Sequence, residues 1–310
     1  MKLVIAFIRL IRWPNLVFIA LTQFLFWTCI IQPVFEEAGK KSSLSPFQFI
    51  LLSLSSVFIA AAGYIINDYF DVNIDQVNKP DKLIVQKFIS RRWTIIWHLI
   101  LSMIGIVIGF YLDFTTKVTL LGFSNLSCVI LLFIYSISLK KKLLVGNILI
   151  SLLTAWVILV LTWCEARFFF RDSLLNMPKI ARFSFLYAGF AFVISLIREV
   201  VKDMEDMEGD RRYGCTTMPL VWGVNVSKMF AGVWMVVLLT SLLFINIYVL
   251  QFGWWLSFGW CMILLIAPLA LSIQKLYKSS NAIDFHRLST LIKIIMLSGI
   301  VSMIFYKFYS

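Results

Sequence analysis

The chain has 310 residues, 61% of them hydrophobic and only 14% charged, a balance outside the range of soluble globular proteins. Its formal charge of +12 does not argue for nucleic acid, because most of the 28 lysines and arginines fall in short segments between apolar runs, where topology and anionic headgroups account for them. Cys29, Cys128, Cys164, Cys215 and Cys261 lack CxxC spacing, which excludes a zinc site or a disulfide framework as the organising feature.

The residues from Met1 to Arg12 form an apolar body interrupted by Arg9 and Arg12, with no small-residue cleavage site. They read as an interfacial amphipathic segment, 1–13, with Trp13 at headgroup depth. Nine apolar runs follow, each near the roughly 20 residues that cross a bilayer. They cover 16–35, 47–67, 93–112, 118–139, 143–164, 183–201, 229–250, 254–273 and 288–306. Arg198 and Glu199 fall in the last turns of the sixth run, and Pro268 is expected to kink the eighth. The fold class is therefore all-α, a polytopic membrane bundle of nine helices forming a single domain over 1–310. The lysines and arginines concentrate on the side of the N-terminus, the even-numbered connections and both motif loops, 68–92 and 202–228. The positive-inside rule places that side, with the N-terminus, in the cytoplasm and the C-terminus outside. The expected location is the plasma membrane, with the functional site open to the cytoplasm.

Two carboxylate clusters interrupt this apolar pattern. Asn67, Asp68, Asp71 and Asp75 continue the second run, and Asp203, Asp206 and Asp210 follow the sixth. Residues three or four apart share a helical face, so each cluster forms an acidic ridge on the same side of the membrane. Ionisable groups are costly beside hydrocarbon and mark a functional site. Hard cations such as Mg2+ favour a few carboxylates together with water and phosphate oxygens, and cations would offset the repulsion within each ridge. A polyanion held by metals also needs basic contacts. Arg198 and Lys202 are the favoured candidates, spaced four apart and four before Asp206, with Lys79, Lys82, Arg91, Arg92 and Lys140 to Lys142 as further ones. His98 and His286, the only histidines, are expected at the interface and away from the aspartates.

The run Asn67-Asp68-Tyr69-Phe70-Asp71-Val72-Asn73-Ile74-Asp75 and the second aspartate-rich segment resemble the UbiA superfamily of intramembrane prenyltransferases. The resemblance extends to Arg9 to Asn15 entering the first span, Tyr135 to Lys140 ending the fourth and Gly146-Asn147 opening the fifth. The stretch from Arg198 to Asp210 is most similar to the branch that makes digeranylgeranylglyceryl phosphate and more weakly similar to chlorophyll-synthase-like members. The resemblance implies a Mg2+-dependent prenyltransferase. Its donor is geranylgeranyl diphosphate, and its acceptor is the free hydroxyl of geranylgeranylglyceryl phosphate.

On that resemblance, Asn67, Asp68, Asp71, Asp75, Asp203, Asp206 and Asp210 hold the metals, with Asp71, Asp75, Asp206 and Asp210 as the catalytic carboxylates. Arg198, Lys202, Lys79 and Lys140 bind diphosphate or phosphate, and Tyr135, Tyr64 and Asn15 stabilise the allylic cation or contact substrate. The expected partners are an isoprenyl diphosphate, a lipid-like acceptor and membrane lipids, with neither nucleic acid nor an obligate protein partner. The segment from Asn78 to Lys87 departs from relatives by lacking a second proline and a glycine, which bears on loop shape and acceptor choice. An aromatic acceptor, a cation-coupled transporter and a noncatalytic scaffold stand as the alternative readings.

Overall fold

A computed structural model describes residues 2–80, 83–116, 118–166 and 177–309. Asp81 and Lys82, in the departing loop, lie outside the described residues. Among the described residues the chain is helical throughout and forms no strand, with one isolated bridge between Val85 and Ile89.

Helix α1 (Lys2–Leu10) leads into α2 (Trp13–Glu37) through Arg12, whose φ of 52° is left-handed. The long α3 (Pro46–Asn78) and α4 (Arg91–Thr116) precede the shorter α5 (Leu121–Ile137) and α6 (Val145–Cys164). Next come α7 (Met177–Glu205), the single turns α8 (Met207–Arg212) and α9 (Met218–Val221), then α10 (Val224–Leu250), α11 (Trp255–Lys278) and α12 (Ala282–Tyr309).

Among the described residues, eight of these helices are long and apolar enough to cross a membrane, making this an integral membrane protein. The expected fourth span is the exception. Its apolar helix, α5, has 17 residues, or about 26 Å at 1.5 Å per residue, short of the roughly 30 Å hydrocarbon layer. Two prolines leave a physical trace. Pro33 and Pro268 each follow a π-helical segment, Trp27–Ile31 and Met262–Ile266. A proline ring removes one N–H and clashes with the carbonyl four residues back, Cys29 and Leu264 here, and the wider turn absorbs both effects.

Local capping explains several helix starts. Ser45 and Gln48 form a reciprocal capping box ahead of Pro46, satisfying backbone donors that the first turn leaves over. Helix α5 has no side-chain cap of its own. Asp113 on α4 accepts from the N–H groups of Leu121 and Gly122, both at 2.8 Å.

Close helix packing rests on small residues, as expected where lipid supplies no driving force between helices. A Cβ on Gly109 would lie 2.5 Å from the Asn125 amide, so α4 and α5 approach only because it is glycine. Beside it, Asn125 donates to Ser55 Oγ (2.8 Å) and to the Gly105 carbonyl (3.0 Å), joining α3, α4 and α5. Large apolar side chains such as Phe114, Phe185 and Phe244 face outward, where a soluble protein would carry charge.

Candidate active site

The first cluster lies entirely on α3, whose last three turns carry Asn67, Asp68, Asp71 and Asp75 beyond the apolar stretch. The second does not form one uninterrupted helix. Helix α7 stops at Glu205, Asp206 is non-helical at φ −97° and ψ 9°, and α8 begins at Met207. The break reflects a clamp from the first cluster's helix. Asn78 donates through Nδ2 to the Asp206 carbonyl at 3.0 Å and accepts from the Gly209 N–H at 2.7 Å.

All seven sequence-predicted ligand residues then line one cavity of about 940 Å3, with Asp68, Asp71 and Asp75 contributed by α3 and Asp203, Asp206 and Asp210 by the α7–α8 junction. Arg12, Lys79 and Lys140 meet the acids. Arg12 lies 2.6 Å from Asp68, Lys140 Nζ is 2.6 Å from Asp71 and 3.0 Å from the Asn67 amide oxygen, and Lys79 Nζ is 2.7 Å from Asp206. Asn67 in turn donates to Asp71 at 2.8 Å, while Asn147 donates to Asp203 at 2.8 Å. The side-chain carboxylates of Asp75 and Asp210 have no hydrogen-bond or ion-pair partner among the described residues.

Electrostatics follow from this crowding. Burial, then the neighbouring Asp206 and Asp71, pushes Asp210 up to about 7. Asp71 belongs to the other wall, so the two clusters act on each other. Burial also raises Asp206, although Lys79 opposes the rise. Lys79 itself is held above its usual value: burial pulls it down, and Asp206 and Glu205 outweigh that pull. Lys140 is lowered by burial despite Asp71. The charge of Asp68 raises Arg12 above an already high value.

Among the described residues no three His, Cys, Asp or Glu side chains already converge as a closed metal cage. The donor set nonetheless fits a hard divalent cation. It is rich in oxygen ligands, spans two mutually repelling walls, and includes two carboxylates with no partner of their own. Asp71 and Asp75 on one wall and Asp206 and Asp210 on the other are the residues that could hold such a cation.

Arg198 and Lys202 also line the cavity, but both contact Glu199 Oε1, at 3.2 and 2.8 Å, in place of the expected stacking over Asp206. Lys79 takes that position. Arg12, Asn67, Tyr135, Arg198, Glu199 and Lys202 border a second, inner cavity of about 260 Å3, which Tyr64 and Asn15 line as well. Beyond it, Phe18, Ile19, Thr154, Val157 and Met296 border both this chamber and an almost wholly apolar pocket of about 80 Å3. The path runs from acidic, through basic, to apolar.

The histidines differ from expectation. His98 is buried, its Nδ1 3.0 Å from the Ala62 carbonyl. His286 lies on the rim of the acidic cavity, 2.8 Å from Glu205, brought there by α12 across a sequence distance that no local spacing reveals. Sequence reasoning also missed Arg12, Asn78, Asn147, Glu199 and Lys293. Only Asn147, opening its span beside a glycine, and Arg12, directly before the first span, carried a local signal.

The profile of the UbiA prenyltransferase family matches residues 12–307. The chain belongs to that family. Among its UbiA relatives, the digeranylgeranylglyceryl phosphate synthase of Methanothermobacter thermautotrophicus is 38% identical over 206 residues, which is 66% of this chain and 66% of that protein. The synthase of the same name from Methanosphaera stadtmanae is 29% identical over 265 residues, covering 83% of this chain and 86% of its own length. A solved digeranylgeranylglyceryl phosphate synthase aligns over 98% of this chain and 99% of its own, with a TM-score of 0.60 and 24% identity. A UbiA homolog from Archaeoglobus fulgidus, bound to DMAPP and Mg2+, aligns over 96% and 98% at a TM-score of 0.56 and 13% identity. At these identities the structural likeness establishes the shared fold.

Proposed function

We propose that this UbiA-family chain transfers a geranylgeranyl group from geranylgeranyl diphosphate to the hydroxyl of geranylgeranylglyceryl phosphate, in Mg2+-dependent ether-lipid synthesis. The observation that carries the reading is the single acidic cavity, walled by both carboxylate clusters and opening into a chamber whose far end is apolar. The names of the relatives support the acceptor class. The basic residues beside the motifs, among them Lys141, Lys142, Arg211 and Arg212, support an active site that opens to the cytoplasmic face of the plasma membrane. The 310 residues act as one intramembrane domain, with α1 lying at the interface.

When bound, Mg2+ supplies charge neutralisation for the departing diphosphate. Asn67, Asp68, Asp71, Asp75, Asp203, Asp206 and Asp210 would hold the metals, and Lys79 and Lys140 would contact diphosphate oxygens. The allylic carbon–oxygen bond breaks, and both bonding electrons leave with diphosphate. The acceptor hydroxyl oxygen then forms the new ether bond to the allylic cation, and its proton passes to a carboxylate or to the released diphosphate. The chamber keeps water from quenching the cation, while Tyr135 and Tyr64 offer ring faces to it. Arg198, Lys202 and Asn15 orient substrate.

The test is product formation by purified protein in liposomes with both substrates, with and without Mg2+, beside Asp71→Ala. A doubly prenylated glyceryl phosphate that requires Mg2+ and is absent in the variant is the expected result. Transfer to a hydroxybenzoate but not to the glyceryl ether would replace the acceptor, and no consumption of the donor under any metal would overturn the reading.

A further inference from the structure

The two larger cavities differ in charge balance: the outer one mixes both carboxylate clusters with bases, whereas the inner one is basic in excess. The inner chamber is lined by Arg12, Arg198, Lys202 and Lys293 against a single carboxylate, Glu199. Arg12 is matched by Asp68, and Arg198 and Lys202 share one oxygen of Glu199. Lys293, from the middle of α12, donates to the neutral Asn15 amide oxygen at 2.7 Å and lies 5.2 Å from the Phe18 ring centroid. Counting these partners leaves two positive charges in excess at the inner chamber. The buried Nε of Arg198 also has no hydrogen-bond partner among the described residues. An orphaned guanidinium donor and surplus charge inside an apolar bundle are costly unless an anion meets them.

That anion differs from a metal-bound diphosphate, because the inner chamber offers one carboxylate where the outer cavity offers both clusters. A phosphate monoester carries close to two negative charges at neutral pH and suits a guanidinium fork supported by lysines. We infer that Arg198, Lys202 and Lys293, with Arg12 at the entrance, form a metal-free subsite for the phosphate monoester of a lipid acceptor. Lys293 is its determinant, since among these bases it alone reaches the chamber from the last span. The inference rests on the proposed acceptor class and adds where that acceptor's charge is held. The acceptor would lie with its phosphate on this cluster and its hydroxyl directed toward the acidic cavity.

The test measures binding in EDTA, where diphosphate loses its metal bridge. Purified full-length protein in nanodiscs is titrated with geranylgeranylglyceryl phosphate, with geranylgeranylglycerol, and with glycerol phosphate as the tail-free arm. The phosphorylated lipid is expected to bind at least tenfold more tightly than the alcohol, and glycerol phosphate more weakly than the phosphorylated lipid. Lys293→Met should reduce the preference between the two lipids to less than threefold, and Lys293→Arg should restore most of it. Donor binding with Mg2+ should stay within about twofold of wild type in Lys293→Met, and a wild-type thermal unfolding transition confirms that the variant is folded. If it is not folded, the wild-type comparison of the two lipids decides. Equal affinity for phosphate and alcohol in wild-type protein would overturn the subsite. So would a Lys293→Met loss that fell on the donor and the acceptor alike. Tight binding of the phosphorylated lipid with no transfer to it would sink the proposed reaction while leaving the subsite standing.

Discussion

Removing the Asn78 side chain isolates the contribution of motif docking from that of metal ligation. The residue is the last of α3, and it touches α8 through two hydrogen bonds, to the Asp206 carbonyl and from the Gly209 N–H. Helix α8 is six residues long, too short to hold its shape alone. The positions of Asp206 and Asp210 therefore depend on what docks it. At roughly 0.5–1.5 kcal/mol for each hydrogen bond, Asn78→Ala costs about 1–3 kcal/mol of docking free energy. That corresponds to a shift of about 5–150-fold between docked and undocked motif. In initial-rate measurements against Mg2+ concentration, the half-saturating concentration should rise, by up to that factor. Much of the maximal rate should return at saturating metal, because bound metal redocks the motif. Gly209→Ala should act through the same contact, since its Cβ would lie 2.6 Å from both terminal atoms of the Asn78 amide. It should cost far less when Asn78 is already alanine, which a double-mutant cycle resolves. A wild-type Mg2+ curve for Asn78→Ala, or equal Gly209→Ala costs in both backgrounds, would refute the clamp.

Asp210, raised to about 7, is mostly protonated at pH 6 and mostly ionised at pH 8, and metal must displace its proton. Mg2+ affinity of the purified protein should therefore rise by up to about tenfold per unit below pH 7 and flatten above it, with proton release on binding, and Asp210→Asn should blunt the slope. Lys140→Met leaves Asp71 without its nearest cation, a loss of about 3 kcal/mol or more for a buried pair. Thermal unfolding in EDTA should fall by several degrees and recover substantially with Mg2+; equal losses with and without metal would refute the pairing. Thr154→Phe places a ring where the inner chamber meets the apolar pocket, and it should lower kcat/KM for a twenty-carbon donor at least tenfold but for a ten-carbon donor less than threefold. Equal losses for both donors would remove the pocket from the tail path.

What could be read from the sequence divides along physical lines. Apolar runs and helical spacing are local properties, so the spans and the acidic ridge of Asn67, Asp71 and Asp75 were visible before folding. The second ridge was only half visible. Its spacing is helical, but the break at Asp206 comes from Asn78, 128 positions away, and no local pattern encodes such a contact. Arg198 and Lys202 line the same cavity as the acids, yet their partner is Glu199, because side-chain direction within one turn outweighed the expected pairing four residues on. Lys293 was invisible as a site residue. One lysine in an apolar run gives no sign of its neighbours until α2 brings Asn15 within 2.7 Å. The shortness of α5 was hidden for a related reason: composition carried the apolar run through to Leu139, whereas the helix ends at Ile137, before the 3-10 turn Leu139–Lys141 that places Lys140.

That turn shows why the bases of the acidic cavity are more than counterions. Lys140 reaches Asp71 from the α5–α6 connection, Lys79 reaches Asp206 from beyond α3, and Arg12 reaches Asp68 from the entrance to α2. Each base is carried by a different segment from the acid it meets, so the ion pairs tie together elements that hydrophobic packing alone would leave free to slide. Two like charges 4 Å apart repel by about 4 kcal/mol at the effective dielectric of a protein surface, and several such terms would otherwise separate the walls. On the proposed function, the same cations would then serve twice. They offset the carboxylates before substrate arrives, and once a divalent metal takes over that role, Lys79 and Lys140 become free for the diphosphate. The exchange requires little movement, because both lysines already line the cavity the diphosphate would enter. It also accounts for the use of lysine in place of arginine at both positions: a compact ammonium on a flexible stem can change partners, whereas a planar fork locked onto a carboxylate, as Arg12 is suited to be on Asp68, serves better as a fixed strut.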